Sequence, residues 1–301
     1  MISLSRGFAI LGSLTLLLSL DARAAVPHVL PAGDCPTGPV DQSAGWVTRD
    51  ESGSIVRFPA RTGLPEQQRP LVIMTYNIAG HDELFRSDHI ARIAAAINLV
   101  KPDIVGLQEV HRGTWQSRHH DQLEELERDT GMHGFFGRSV RKGNGEFGNA
   151  ILTRGEIVSA VVVPLPGRGE PRSLIESVLR IDGATINFYV THLAAWDRMT
   201  ASTRARQLTC LARYIQGSPY PFLLTADFNA APAAPEVASF VRQDTAQLCG
   251  GILPTTCPML HKRIDYVWAD YGWEVRETRV PKIGPSDHWP VVTELMWRRQ
   301  P

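Results

Sequence analysis

Six apolar runs along the chain stop abruptly at polar residues that suit metal binding or proton transfer. They are Leu71–Tyr76 into Asn77, Ile104–Gln108 into Glu109, Ile186–Thr191 into His192, Phe222–Ala226 into Asp227-Phe228-Asn229, Arg263-Ile264 into Asp265, and Gly284–Ser286 into Asp287-His288. A strand buried on both faces reads as a continuous apolar run. A polar group at its end costs desolvation unless it has a partner or a task. Six such endings predict strands whose ends converge on one polar pocket.

Between these runs, apolar residues recur at helical spacing in three places: Ile90, Ile93, Ala94, Ile97 and Val100; Leu123, Leu126 and Thr130; and Leu208, Leu211, Ala212 and Ile215. Pro102 ends the first of these, because proline cannot continue a helix. Gly148–Thr153, Ile157–Leu165, Leu174–Ile181 and Ala184–Thr191 read as short strands, with Asp182-Gly183 as a hairpin turn. Hairpins mixed with strand–helix units predict an α/β protein of α+β type with mixed sheets. One domain spans residues 70–301, and residues 25–69, rich in Pro and Gly, form a loosely patterned extension. At the N-terminus, Arg6, the apolar segment Gly7–Leu20 and Ala22-Arg23-Ala24 read as an export signal over residues 1–24, cleaved near Ala24/Ala25. The expected mature form is a secreted or periplasmic monomer without a stable membrane span.

Composition narrows the partners. The formal net charge is +0 over 301 residues, so no overall basic field holds nucleic acid non-specifically. Four cysteines remain after signal cleavage: Cys35, Cys210, Cys249 and Cys257. Export permits disulfides. The short Gly/Pro-containing loop between Cys249 and Cys257 makes that pair the favoured bridge.

Each polar ending has a competing reading. Glu109 is a hard oxygen ligand for Mg²⁺, Mn²⁺ or Ca²⁺, or a strand-end carboxylate paired with Arg112. Asp227 and Asn229 share a strand face and together suit the positioning of a water, or they form an Asx turn. His288 near a buried Asp suits a cation or proton donor, or is a structural histidine. Arg172, on a loop before a strand, offers a guanidinium for bidentate contacts, or pairs with Glu170 or Glu176. Asp121 reads as a helix cap, and His119-His120 as surface.

In order, Thr75-Tyr76-Asn77, Leu107-Gln108-Glu109-Val110, Gly148-Asn149-Ala150-Ile151-Leu152-Thr153-Arg154, Thr191-His192-Leu193, Ala226-Asp227-Phe228-Asn229, Arg263-Ile264-Asp265-Tyr266 and Ser286-Asp287-His288 resemble the endonuclease/exonuclease/phosphatase (DNase I-like) superfamily. Gln108–Arg112, His120–Leu123, Thr130–Met132 and Glu170–Leu174 look like a bacterial subgroup of secreted metal-dependent hydrolases. The family's usual Gly before Asp-Phe-Asn is Ala226 here. The resemblance implies a four-layer sandwich of two packed mixed β-sheets flanked by helices. It implies that Glu109 is the main metal ligand, with Asn77 and Asp287 near the metal or its waters. Asp227 and Asn229 would activate the attacking water, and His288, oriented by Asp265, would neutralise phosphoryl oxygens. His192 would contact the phosphate or protonate the leaving oxygen, and Asn149 would help arrange the site. The implied activity is that of a Mg²⁺-dependent phosphoesterase, with Mn²⁺ or Ca²⁺ as alternative metals and a small molecule, a lipid headgroup or a nucleic acid as substrate. A secreted nuclease, a sphingomyelinase-like phospholipase and a catalytically inactive binding module stand as alternatives. The missing basic stripe counts against the nuclease. Seven scattered Trp, most of them explained by core packing, count against a membrane-inserting hairpin.

Overall fold

The structure is a computed structural model and describes residues 35, 47–49, 55–57, 69–195, 200–241 and 246–298. The expected export signal, most of the N-terminal extension, Trp46 and Trp196 lie outside the described residues. A small antiparallel ribbon, β1 (Val47–Arg49) and β2 (Ile55–Arg57), precedes the main body.

Two six-stranded mixed sheets make up that body. The first contains β3 (Leu71–Asn77), β4 (Ile104–Arg112), β5 (His133–Lys142), β6 (Gly145–Thr153), β13 (Trp273–Arg279) and β14 (Val291–Trp297), in the order β13-β14-β3-β4-β6-β5. The second contains β7 (Glu156–Leu165), β8 (Arg172–Ile181), β9 (Ala184–His192), β10 (Phe222–Asp227), β11 (Gln247–Leu248) and β12 (Asp265–Ala269), in the order β11-β12-β10-β9-β8-β7. The helices are α1 (His89–Val100), α2 (Gln122–Thr130), α3 (Ala201–Gln216) and α4 (Pro235–Val241). Asp182 and Gly183, at φ 49° and 78°, form the predicted two-residue turn between β8 and β9. Asp121 caps α2 by accepting from the backbone N–H of Leu123 and Glu124.

Side-chain alternation builds the layers. Met74 and Tyr76 of β3 pack outward against Ile90, Ile93 and Ile97 of α1, with Leu123 and Leu126 of α2 alongside. Leu224 and Ala226 of β10 pack outward against Leu208, Leu211 and Ile215 of α3, and Phe240 of α4 joins the same cluster. Ile73, Ile104, Ile151, Phe188, Val190, Leu223 and Val267 fill the space between the sheets. The result is the four-layer sandwich, with both central strand pairs buried on both faces. At Gly106 of β4 the sheets approach so closely that a Cβ would run into the Thr225 side chain of β10.

Each sheet has one parallel pair, β3–β4 in the first and β9–β10 in the second. The connections run through α1 and α3 on opposite outer faces, as a parallel pair requires a crossover. Both pairs therefore deliver the C-terminal ends of two strands to one edge.

The structure corrects the picture of six strand endings. Asn77, His192 and Asp227 do end strands, but Glu109 lies inside β4. Asp265 begins β12, and Asp287-His288 precede β14. Both of those strands run antiparallel to their partners β10 and β3, so their beginnings lie at the edge where the partners end. The cysteine reading is also corrected. The disulfide joins Cys35 to Cys210 on α3, and Cys249 and Cys257 are buried free thiols. Among the described residues no helix is long and apolar enough to cross a membrane.

A half-buried acid lies away from the site. Glu176 faces Tyr189 across the β8–β9 ladder, and the Tyr189 hydroxyl donates to its Oε1 at 3.4 Å. Burial pushes its carboxyl up to about 7, with the Tyr189 hydrogen bond opposing. The folded state thus holds a proton that the unfolded chain releases near its ordinary value of 4.5, and stability falls as pH rises from there toward 7. Glu176→Gln should remove a loss on the order of 2 kcal/mol. Thermal melts should show the variant more stable than the unaltered chain at pH 8 and equal to it near pH 4. Equal melting temperatures at both pH values would contradict this account.

Candidate active site

Asn77 sits opposite Gln108 in the parallel β3–β4 ladder. The pairing of β4 with β6 skips between Leu107 and Val110, and Glu109 within that bulge has φ 61°. A bulge adds a residue and re-aims its side chain, here turning a carboxylate toward the edge where the strands end. Gln122 of α2 clamps the bulge from behind. Its Nε2 donates to Gly80 O at 2.7 Å and to Glu83 Oε2 at 2.8 Å, and its Oε1 accepts from His111 N at 2.8 Å. Gly80 has no room for a Cβ, which would meet Gln122 and the Glu109 carbonyl.

The second sheet supplies a row in register, because Asp227 pairs with His192 on one side and with Asp265 on the other. After Asp227 the chain turns at Asn229 (φ 51°), whose backbone N–H donates to Asp227 Oδ1 at 2.8 Å. The Asx turn and the functional reading of this pair are thus compatible. The Asn229 amide donates to Leu193 O at 3.1 Å and lies 2.7 Å from His192 Nε2. A donating amide there makes Nε2 the acceptor and leaves the proton on Nδ1, which is buried and unpartnered.

Asn77 joins the two sets, its Nδ2 donating to Glu109 Oε1 at 3.1 Å and to Asp227 Oδ2 at 3.0 Å. Ser286 Oγ donates to Asn77 O at 2.7 Å and accepts from His288 N at 3.1 Å, so the loop before β14 is tied to the end of β3. That tie brings His288 Nδ1 to 2.9 Å from Asp265 Oδ2 and 4.0 Å from Asp227 Oδ2.

The four central titratable groups are driven apart. Burial alone would raise Glu109, but the nearby His81 and the Asn77 hydrogen bond hold it well below the usual carboxylate range. Asp227 is pushed up to about 7 by burial and by the Asp265 charge. His288 is held well above the ordinary histidine value, because Asp265 outweighs burial. His192 is driven well below it by burial and then by the nearby Arg172. The arrangement combines an ionised carboxylate, a carboxyl poised near neutrality, an imidazolium and a neutral imidazole.

Asn77, Glu109, His192, Asp227, Asn229, Asp265 and His288 are thus linked by direct contacts. Asp287 is exposed beside them and feels the charge of Glu109. Asn149 is buried, and its amide donates to Ser173 O at 3.1 Å, bridging the two sheets. Arg172 is buried at the start of β8 and pairs with Glu170 at 3.1 Å, not with Glu176. Glu109 opens onto a cleft of about 420 Å³ lined also by His81, His111, Trp115, Lys142 and Glu170. Sequence reasoning missed His81, whose Nδ1 lies 3.5 Å from Glu109 Oε2, because it falls in a five-residue 3-10 turn, Gly80–Leu84, too short to show an apolar period. It also missed Cys257, whose free thiol lies beside His288 instead of bridging to Cys249.

Three groups of donors lie within 4.8 Å of one another among the described residues: Cys257, Asp287 and His288; Asp227, Asp265 and His288; and Glu83, His120 and Glu125. A protonated His288 makes the first two poor cation sites. In the third, His120 Nδ1 already bridges Glu83 and Glu125 at 2.9 and 3.2 Å. Glu109 belongs to none of them. Its ionised carboxylate, with the exposed Asp287 carboxylate close enough to feel its charge, nonetheless offers hard oxygen donors of the kind that suits a divalent cation.

Residues 74–288 match the model of the Endonuclease/Exonuclease/phosphatase family. Among solved structures, the chain is similar to an endonuclease/exonuclease/phosphatase from Beutenbergia cavernae, at 25% identity and TM-score 0.63, over 76% of this chain and 72% of that one. It is also similar to the human Nocturnin catalytic domain with bound sulfate (22%, TM-score 0.63, 78% and 97% covered). A third is the mannosyl-6-phosphatase of Bacteroides thetaiotaomicron (22%, TM-score 0.62, 75% and 100% covered). No curated protein matches the chain.

The Gln122 clamp makes a direct prediction. Gln122→Ala would strand three buried partners, and such a loss costs about 3 kcal/mol. Urea unfolding should show a loss of stability of that size, and a loss below about 1 kcal/mol would mean that the bulge holds its shape without the clamp.

Proposed function

The chain belongs to the endonuclease/exonuclease/phosphatase family, and from that premise we propose that it is an exported, metal-dependent phosphoesterase in which Asp227 activates the attacking water. The observation that carries this reading is the separation of two carboxyls sharing one amide. Asn77 donates to both, yet Glu109 is ionised while Asp227 sits near 7. Carboxyls driven apart in this way mark an acid/base division of labour, and a base titrating near neutrality suits proton abstraction from water.

Phosphoryl transfer needs charge neutralised on the non-bridging oxygens and a nucleophile held in line. In this reading Glu109, Asn77 and Asp287 would hold a divalent cation, Mg²⁺ foremost, which would supply polarisation of the phosphoryl group. Asn229 orients the water beside Asp227. His288, kept cationic by Asp265, meets the phosphoryl oxygens. His192 is neutral, and its unpartnered Nδ1–H donates to the phosphate or toward the leaving oxygen. Asn149 and Arg172 shape the substrate side of the site.

The test is hydrolysis of bis-p-nitrophenyl phosphate and of p-nitrophenyl phosphate with Mg²⁺, Mn²⁺ or Ca²⁺. EDTA should abolish turnover. Glu109→Ala, Asp227→Ala and His288→Ala should each lower kcat about a hundredfold or more. Near-normal turnover by a folded Asp227→Ala protein would sink the mechanism. No hydrolysis of either ester with any of these metals would favour a binding module.

A further inference from the structure

Arg172 opens β8 in one sheet and Lys142 closes β5 in the other. Glu170 joins them, its Oε1 lying 3.1 Å from Arg172 Nη2 and its Oε2 3.1 Å from Lys142 Nζ. One carboxylate thus gives one oxygen to each of two cations from facing sheets. The Arg172 side chain is 7% exposed while that of Glu170 is 37% exposed. A guanidinium offers five N–H donors and suits two-oxygen recognition of an oxyanion. Here the carboxylate engages one end of it, and the buried Nε has no partner. Two cations against one carboxylate also leave this cluster with a net positive charge.

Three further observations tie this cluster to the candidate site. Lys142 and Glu170 line the same cleft as Glu109. Arg172 and Lys142 both push His192 toward its neutral form. Ser173, the residue after Arg172, accepts from Asn149 and, at 3.0 Å, from Thr191 Oγ1 next to His192.

We propose that Arg172 and Lys142 form a phosphate subsite and that the Glu170 carboxylate fills it until a phosphate displaces it. The ligand is a phosphate oxyanion of the substrate, so this inference rests on the phosphoesterase reading. Arg172 is the buried, fixed half of the subsite. Lys142 is the mobile half, since ammonium is a point charge on a flexible stem. Glu170 sits in the loop between β7 and β8 and is the only anion of the three, so it competes with the substrate for the same donors.

The experiment is calorimetric titration with inorganic phosphate, in chelator and without divalent metal, so that Glu109 and its cation play no part. E170Q should bind phosphate about tenfold tighter than the unaltered chain, because the competing charge is gone. The K142A/E170Q double variant should lose that gain. Unchanged or weaker binding by a folded E170Q, or full retention of the gain in the double variant, would overturn the subsite. Should E170Q fail to fold by thermal melt, K142A alone decides: weaker phosphate binding supports the subsite, and unchanged binding overturns it. Ester turnover measured in parallel separates the two readings. A chain that hydrolyses no ester but gains phosphate affinity in E170Q keeps the subsite and loses the phosphoesterase. Hydrolysis without that gain does the reverse.

Discussion

The site depends on a single buried amide nitrogen that reaches carboxylates from both sheets. Asn77 Nδ2 donates to Glu109 within its own sheet and to Asp227 in the facing one. Two carboxylates cannot approach so closely in a buried setting without a donor between them, because the low local dielectric magnifies their repulsion. The amide supplies two N–H groups and no charge, so it links the pair without neutralising either. Its carbonyl oxygen accepts from Ala79 N at 3.0 Å, which fixes the amide's orientation. Bonds radiating from that point are distributed over β3, β4 and β10, all of them central strands.

Strand direction explains why so many polar residues gather there. A parallel pair sends two C-terminal ends to the same edge, and each sheet has one such pair at its centre. Antiparallel neighbours contribute from their beginnings, as Asp265 does before the body of β12 and as Asp287-His288 do ahead of β14. The buried charges then balance locally. Asp265 holds His288 cationic, Asp227 keeps a raised affinity for its proton, and His192 stays neutral. This distribution places the ionised Glu109 at the cleft, where its side chain is 24% exposed and charge is least costly.

Much of this was legible in the chain itself, and what was not has a physical cause. The central strands β3, β4, β9 and β10 are buried on both faces, so their apolar runs stand out. Edge strands β5 and β13 are partly exposed and alternate irregularly, and neither gave a readable pattern. Helix α4 has only 7 residues, too few for a period to show. The residues now grouped at the site could be named because each interrupts an apolar run. His81 and Lys142 interrupt nothing and stayed hidden. Strand direction was hidden as well: an ending and a beginning look alike in sequence, so Asp265 and Asp287-His288 were read as endings. The cysteine pairing failed for a related reason. Closeness in sequence favoured Cys249 with Cys257, whereas the Cys35–Cys210 bridge spans a separation of 175 residues.

Backbone strain is also present at the site. Ala79, Glu109 and Asn229 hold φ of 46°, 61° and 51°, a region that costs a non-glycine residue roughly 1–2 kcal/mol. Asparagine tolerates it; alanine and glutamate have no such excuse. Glycine would relieve position 109 but would delete the carboxylate, so the strain there persists for the sake of the side chain. It can persist because its surroundings over-determine it: Gln122 holds Gly80 and His111 N on either side, and Gly80 leaves no space for the loop to relax toward the bulge. Rigid support behind one carboxylate and a shared amide in front of it fix Glu109 to within a narrow range of directions. In the proposed mechanism a water activated at Asp227 and a phosphoryl group held near Glu109 would then meet in a constant geometry, which is the condition that in-line attack imposes.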